Sequence, residues 1–219
     1  MVGGRGRHSA SLLMGVETIA VIGMGSVGRG IAYKAVLGRY RTVLEDVSSE
    51  RLMESVAWLK RVLAEAASRG EIDAGTRAAA ELLISTAPSV EDAIRDADLI
   101  LEAVPDEMEM KLELFTLFDK FARPGAILAS SSTVFSIGEL TDVTTSQERC
   151  IGMRFCDSGR DEKTVELVKM RVTSSETIAA CVEVARRMGR AAVIIEEAPE
   201  KIETQNPRST ERPATESKL

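Results

Sequence analysis

Histidine is all but missing from this sequence: its one residue, His8, falls in the Gly/Arg-rich opening stretch MVGGRGRHSA. That stretch has no hydrophobic period and reads as a mobile terminus. A Ser-His-Asp triad, a histidine general base and a histidine-containing zinc site therefore have no imidazole to draw on in the folded body. Cysteine is scarce as well. Cys150, Cys156 and Cys181 are odd in number and stand at no metal-ligand spacing. Neither a disulfide framework nor a metal site is expected, and all three read as reduced thiols buried as small hydrophobes in a cytoplasmic protein. Basic charge is in deficit, with 28 Lys and Arg against 34 Asp and Glu and a net charge of -6. This balance speaks against a nucleic-acid or anionic-membrane surface. No apolar run reaches the ~20 residues of a membrane span, and residues 11–16 are too short for a signal-peptide core. Internal repeats are absent. A soluble protein with small-molecule or protein partners is expected.

What the chain does have is 219 residues, 44% of them apolar, enough for one ordinary domain with tails. From Thr18 to about Ile195, short β-branched runs alternate with segments of helical period, the pattern of strand-helix-strand units around a parallel sheet. Strands are expected at 18–22, 41–45, 82–85, 99–104, 126–129, 150–153, 164–168 and 191–195. The first helix is expected over 26–37, ending at Gly38. A long helix from Ser49 carries Leu52, Val56, Leu59, Leu63 and Ala66 on one stripe, and a second helical piece covers 74–82. The link from the second to the third strand is therefore a helical hairpin. Further helices are expected over 90–95, 107–121 and 175–188, the last with Ser174 to Glu176 as its start signal and Gly189 as its stop. Residues 200–219 hold few apolar side chains and are expected to be disordered, as are residues 1–16. The fold class is α/β: a Rossmann-type, doubly wound, mostly parallel sheet over 17–199 with a helical hairpin inserted after the second strand.

The most informative segment is the glycine turn. Gly23, Gly25 and Gly28 form G-x-G-x-x-G, with Ser26 and Val27 between the last two, directly after a hydrophobic strand and directly before a helix. In that context Gly23 lets the strand turn sharply, Gly25 lets backbone approach a pyrophosphate, and Gly28 lets the helix lie close to the strand. The helix start then offers free amides to phosphate. At the end of the second strand sits Asp46, whose carboxylate suits a ribose 2'-hydroxyl and repels a 2'-phosphate, favouring NAD over NADP. The alternative is that Asp46 serves as a turn or helix-cap residue.

Beyond the turn, the chain resembles the N-terminal NAD-binding domain of the 3-hydroxyacyl-CoA dehydrogenases, the short-chain hydroxybutyryl enzymes included. The likeness runs from about Thr18 to Pro199. It is carried by IGMGSVGRGIA at 22–32, ADLILEAVPDEMEMKLELF at 97–115, ILASSSTVFSI at 127–137, GMRF at 152–155, VELV at 165–168 and TSSETIAACVEVARRMGR at 173–190. The resemblance implies an NAD-dependent oxidoreductase of fatty acid metabolism, moving hydride between NAD and a 3-hydroxyacyl thioester on coenzyme A or a carrier protein. By matched position, Glu102 and Lys111 lie along the cofactor and the nucleotide end of the thioester. The competing reading of Lys111 is a solvated charge on an exposed helix face. Ser131 takes the place of an asparagine, and Thr133 the place of the serine whose hydroxyl touches the substrate oxygen.

The departures from the family pattern bear on chemistry. Arg154 stands where the family has its catalytic histidine, while the carboxylate that orients that histidine is retained as Glu166. A guanidinium stays protonated and cannot take up the hydroxyl proton. An Arg154–Glu166 ion pair is expected instead, with Arg154 polarising a carbonyl oxygen, Thr133 orienting it, and water or Asp157 delivering the proton. After Pro199 a polar tail is expected in place of the family's helical domain, which would leave a one-walled cleft and apolar surface near Phe155 and Ile195. Self-association, or a partner chain over the cleft, is expected from this. The readings are a weakened dehydrogenase or a non-catalytic NAD-binding module.

Overall fold

The computed structural model describes residues 15–156 and 163–197. Both expected tails, Asp157 and Pro199 fall outside the described residues, except that Val16 is already buried in the core. The element order is β1 (Thr18–Ile22), α1 (Ser26–Leu37), β2 (Arg41–Glu45), α2 (Ser49–Ser68), α3 (Ala74–Leu82), β3 (Ile84–Thr86), α4 (Val90–Ile94), β4 (Leu99–Glu102), α5 (Met108–Phe121), β5 (Ile127–Ser130), α6 (Ile137–Thr141), β6 (Cys150–Cys156), β7 (Thr164–Lys169), α7 (Ser175–Arg187) and β8 (Ala191–Glu196), with a 3-10 turn at Gln147–Arg149.

The eight strands form one sheet in the order β3-β2-β1-β4-β5-β6-β7-β8. Every pair is parallel except β6 with β7, which run antiparallel and set Arg154 opposite Glu166. The sheet is covered on both faces. α1, α2 and α7 bury Ile31, Ala35, Leu59, Cys181 and Val184 against Ile19, Val21, Leu99 and Leu101 on one face. On the other, α4, α5 and α6 bury Ile94, Phe115, Phe118 and Leu140 against Ala20, Ile22, Ile100 and Leu128. This two-sided cover is why β1, β4 and β5 read as continuous apolar runs and not as alternating ones. The α2–α3 hairpin packs Leu63 and Ala80 on Val36 of α1, as the apolar stripe implied.

Three local expectations need correction. The third strand is Ile84–Thr86, because α3 runs through Leu82 and Leu83 caps it. The helix α6 was not anticipated: at five residues it carries no apolar period, and it depends on a capping box in which Ser136 and Glu139 satisfy each other's backbone amides. Its first amides also bond the Glu197 carboxylate, 60 residues away. The sixth strand extends three residues past Met153 because its antiparallel partner β7 continues to supply hydrogen bonds.

The strand order turns back on itself between β1 and β4, so a crevice opens beyond their carboxyl ends. In doubly wound sheets this is where ligands bind. No described helix is long and apolar enough to cross a membrane.

Candidate functional site

The glycine turn lies at that crevice, and two of its glycines are required by their surroundings. Gly23 has φ +98°, and a Cβ there would fall 2.8 Å from the Ala103 carbonyl oxygen. A Cβ on Gly28 would fall 1.8 Å from the Gly23 carbonyl oxygen. These contacts hold α1 against β1 and β4. Gly25, by contrast, faces open space, with nothing within 4 Å of a built Cβ. It begins α1 with no side-chain cap and no acid in the first turn, so the opening amides of the helix, at exposed Ser26 and Val27, have no partner competing with an anion. The turn thus leaves an open backbone at Gly25 and uncapped amides at the start of α1.

Asp46 borders the same cleft, but its carboxylate is occupied. Oδ2 accepts from the Met24 amide at 2.8 Å. Oδ1 accepts from the Ser48 amide at 2.9 Å and from the Arg51 guanidinium at 3.3 Å. The structure shows the turn-bracing role: three hydrogen bonds within the chain leave about one of the four lone-pair positions of Asp46 free. Arg51 and the preceding Glu45 also line the cleft, and the sequence reading missed both. Glu45 is buried, and burial, reinforced by the charges of Asp46 and Glu91, raises its pKa to about 7. An acid ending a β-branched strand one residue before Asp46 was the signal available for it.

The structure corrects the place of Lys111. Its side chain is wholly buried, not on an exposed helix face. Its ammonium meets Glu102 Oε1 at 2.6 Å, the Val104 carbonyl oxygen at 3.1 Å and Asp106 Oδ1 at 3.3 Å. Glu102, equally buried, also accepts from the Val104 amide at 2.7 Å and from the Ser130 hydroxyl at 2.6 Å. Neither Glu102 nor Lys111 borders the cleft. They lie behind its wall, and Val104, Pro105 and Asp106 are the residues that face it.

The serine-rich loop after β5 is held from the same network. Ser130 Oγ accepts from the Ser132 amide, and Ser132 Oγ accepts in turn from the Val134 and Phe135 amides. Ser131, Ser132 and Thr133 line the cleft together with Phe155. Arg154 does not. Although it stands opposite Glu166 across β6 and β7, no ion pair joins them; Arg154 Nε donates to the Ser132 carbonyl oxygen at 2.7 Å. Directly opposed residues project from the same face, but the loop carbonyl claims the guanidinium.

Cys150 and Cys181 are buried, and burial pushes their thiols up to about 11 at Cys150 and about 12 at Cys181. They are protonated packing residues, as the sequence suggested. The described residues contain no group of three acidic, cysteine or histidine side chains able to hold a metal. The cleft itself has a volume of about 820 Å³, sufficient for a dinucleotide.

Residues 18–198 match the family model of the 3-hydroxyacyl-CoA dehydrogenase NAD-binding domain. A probable 3-hydroxybutyryl-CoA dehydrogenase of Bacillus subtilis is 32% identical over 186 residues, covering 85% of this chain and 64% of that protein. The mitochondrial hydroxyacyl-coenzyme A dehydrogenase of Sus scrofa is 31% identical over 84% of this chain and 60% of its own length. The crystal structure of 3-hydroxybutyryl-CoA dehydrogenase from Escherichia coli K12 superposes with a TM-score of 0.78 at 27% identity, over 84% of this chain and 39% of that one. The chain thus spans under two thirds of the length of these relatives. The open Gly25 backbone, the uncapped α1 and the cleft volume all suit the cofactor that the family model specifies, which is NAD. The chain belongs to the 3-hydroxyacyl-CoA dehydrogenase family, through its NAD-binding domain.

Proposed function

We propose that the protein transfers hydride between NAD and a 3-hydroxyacyl or 3-ketoacyl thioester, on coenzyme A or on a carrier protein, at a rate well below that of its relatives. The observation that carries this reading is the junction of the glycine turn, Asp46 and the Ser131–Thr133 loop around one cleft. Phosphate is assigned to the amides of Ser26, Val27 and Gly28, ribose to Asp46, and the nicotinamide end to the side of Ser131 and Thr133. When bound, NADH supplies the hydride for the thioester's keto carbon; the protein has to hold the carbonyl and provide a proton to its oxygen. Thr133 is exposed on the cleft and can donate to that oxygen. Arg154 acts as a positioning residue for the loop, since its Nε is engaged with Ser132 and it does not reach the cleft. This replaces the carbonyl-polarising role that the sequence suggested. Glu166 has no base to orient. Glu102 and Lys111 support the cleft wall from behind.

Loss of a positioned acid-base group typically costs ~10²–10⁴ in rate. NADH oxidation with acetoacetyl-CoA is therefore expected to be slow but above the enzyme-free blank. Arg154→His, which restores an imidazole opposite Glu166, is expected to raise the rate at least ~10-fold. A blank-level rate for both proteins would overturn the dehydrogenase reading.

That result would favour the second reading, a non-catalytic NAD-binding module, which is supported by the lining of the cleft: no described residue that borders its serine-loop end is an imidazole or another group suited to take the hydroxyl proton near neutral pH. The same proposal includes a cytoplasmic location, consistent with two buried, unpaired thiols. It also includes a second chain or copy over the open side of the cleft.

A further inference from the structure

Glu45 is the unexplained charge in the cleft. It is only 7% exposed, yet its carboxylate has no hydrogen-bond donor from any described residue, although it borders the cleft. An acid so placed is costly to ionise unless a donor reaches it. The other carboxylates around it are accounted for differently: Asp46 holds the turn, Asp106 pairs with Lys111, and Glu91 on α4 and Glu113 on α5 stand closer to solvent.

Its position says what donor it awaits. Glu45 ends β2, and its side chain lies on the α4–α5 face of the sheet, the face opposite Leu44, which packs on α1 and α2. Around it the cleft is lined by Ile22, Val90, Val104, Leu114 and Leu117, apolar walls suited to a flat aromatic base. Taking the cofactor reading above, phosphate at α1 and ribose at Asp46 leave the base of the adenosine half to enter this apolar crevice next to Glu45. Adenine carries one exocyclic donor, its 6-amino group. We infer that Glu45 accepts a hydrogen bond from the 6-amino group of the cofactor's purine and makes the site selective for adenine over a 6-oxo purine.

A 6-oxo purine presents a carbonyl oxygen at that position, which repels an ionised carboxylate but accepts from a protonated one. Selectivity should therefore weaken as the pH is lowered through the range where Glu45 takes up a proton. The charged groups that bear on it are Asp46 beside it on β2 and Glu91 on α4; Arg51 on α2, Asp106 before α5 and Glu113 on α5 complete the charged lining of the cleft.

The test is calorimetric titration of the full chain with NAD and with nicotinamide hypoxanthine dinucleotide, at pH 6 and pH 8. The expected result is a preference for NAD of about tenfold or more at pH 8, reduced at pH 6. In Glu45→Gln, whose amide can accept from an amine or donate to a carbonyl, the preference should fall to within about threefold and lose its pH dependence. Glu45→Val should likewise remove it. Equal affinity of the native protein for both dinucleotides, or a preference retained in both variants, would overturn the inference while leaving the cofactor reading standing. Failure to bind either dinucleotide would overturn both.

Discussion

A lysine with no exposed side-chain surface tolerates its charge only when every part of it is met, and Lys111 meets that condition with Glu102, Asp106 and one backbone carbonyl. Removing one member leaves the other buried without compensation. Lys111→Met is expected to lower stability by about 3–5 kcal/mol, because Glu102 would keep only the Val104 amide and the Ser130 hydroxyl. Lys111→Met combined with Glu102→Leu should recover most of that loss. Urea denaturation of the two variants checks both, and a single-variant loss under about 1 kcal/mol would contradict the burial. The pair also marks a boundary of what sequence reveals. Gly23, Gly28 and Asp46 stood out because the G-x-G-x-x-G spacing after a strand, and an acid at the end of the next strand, are visible as patterns along the chain, even though Gly23 is crowded by Ala103 and Asp46 bonds Met24. Lys111 could not, since its helix carries charges on several faces and only the fold brings the end of β4 beneath it.

At the scale of elements, the start of α1 matters most. Its bounds, Ser26–Leu37, were legible because the chain itself punctuates them: glycines before it, an apolar period within it, and Gly38 after it. α6 was not legible, for five residues carry no apolar period and its first amides bond Glu197, 60 residues away; the antiparallel direction of β7 was not read either, although its seven-residue link to β6 is too short for a parallel crossover. The contact between α1 and β1 predicts a sharp response. Gly28→Ala would place a methyl group inside the Gly23 carbonyl, where only backbone can yield. A loss of about 1–3 kcal/mol in stability is expected, together with at least a ~10-fold fall in affinity for NAD as the helix amides move away from the phosphates. Thermal melts and calorimetry read these separately. Unchanged affinity would show that α1 does not hold the diphosphate.

Across the whole molecule, the sheet ends on one side in the three-residue β3 and on the other in β8, six residues with Val193, Ile194 and Ile195 at 46%, 50% and 36% exposure. Among the described residues β8 pairs only with β7. An edge so apolar invites a further strand or a second copy. Light scattering is expected to show concentration-dependent association of the native chain, and Ile194→Lys should reduce it; a strict monomer at every concentration would refute this. The cleft belongs to the same scale. A line of hydrogen bonds runs from Lys111 through Glu102, Ser130 and Ser132 to Arg154, joining α5, β4, β5 and β6 beneath the wall. Such a truss loses its conformational freedom when the chain folds, not when a visitor arrives. A nucleotide reaching this wall finds it already stiff, so that capture is paced by encounter and not by rearrangement of the rim.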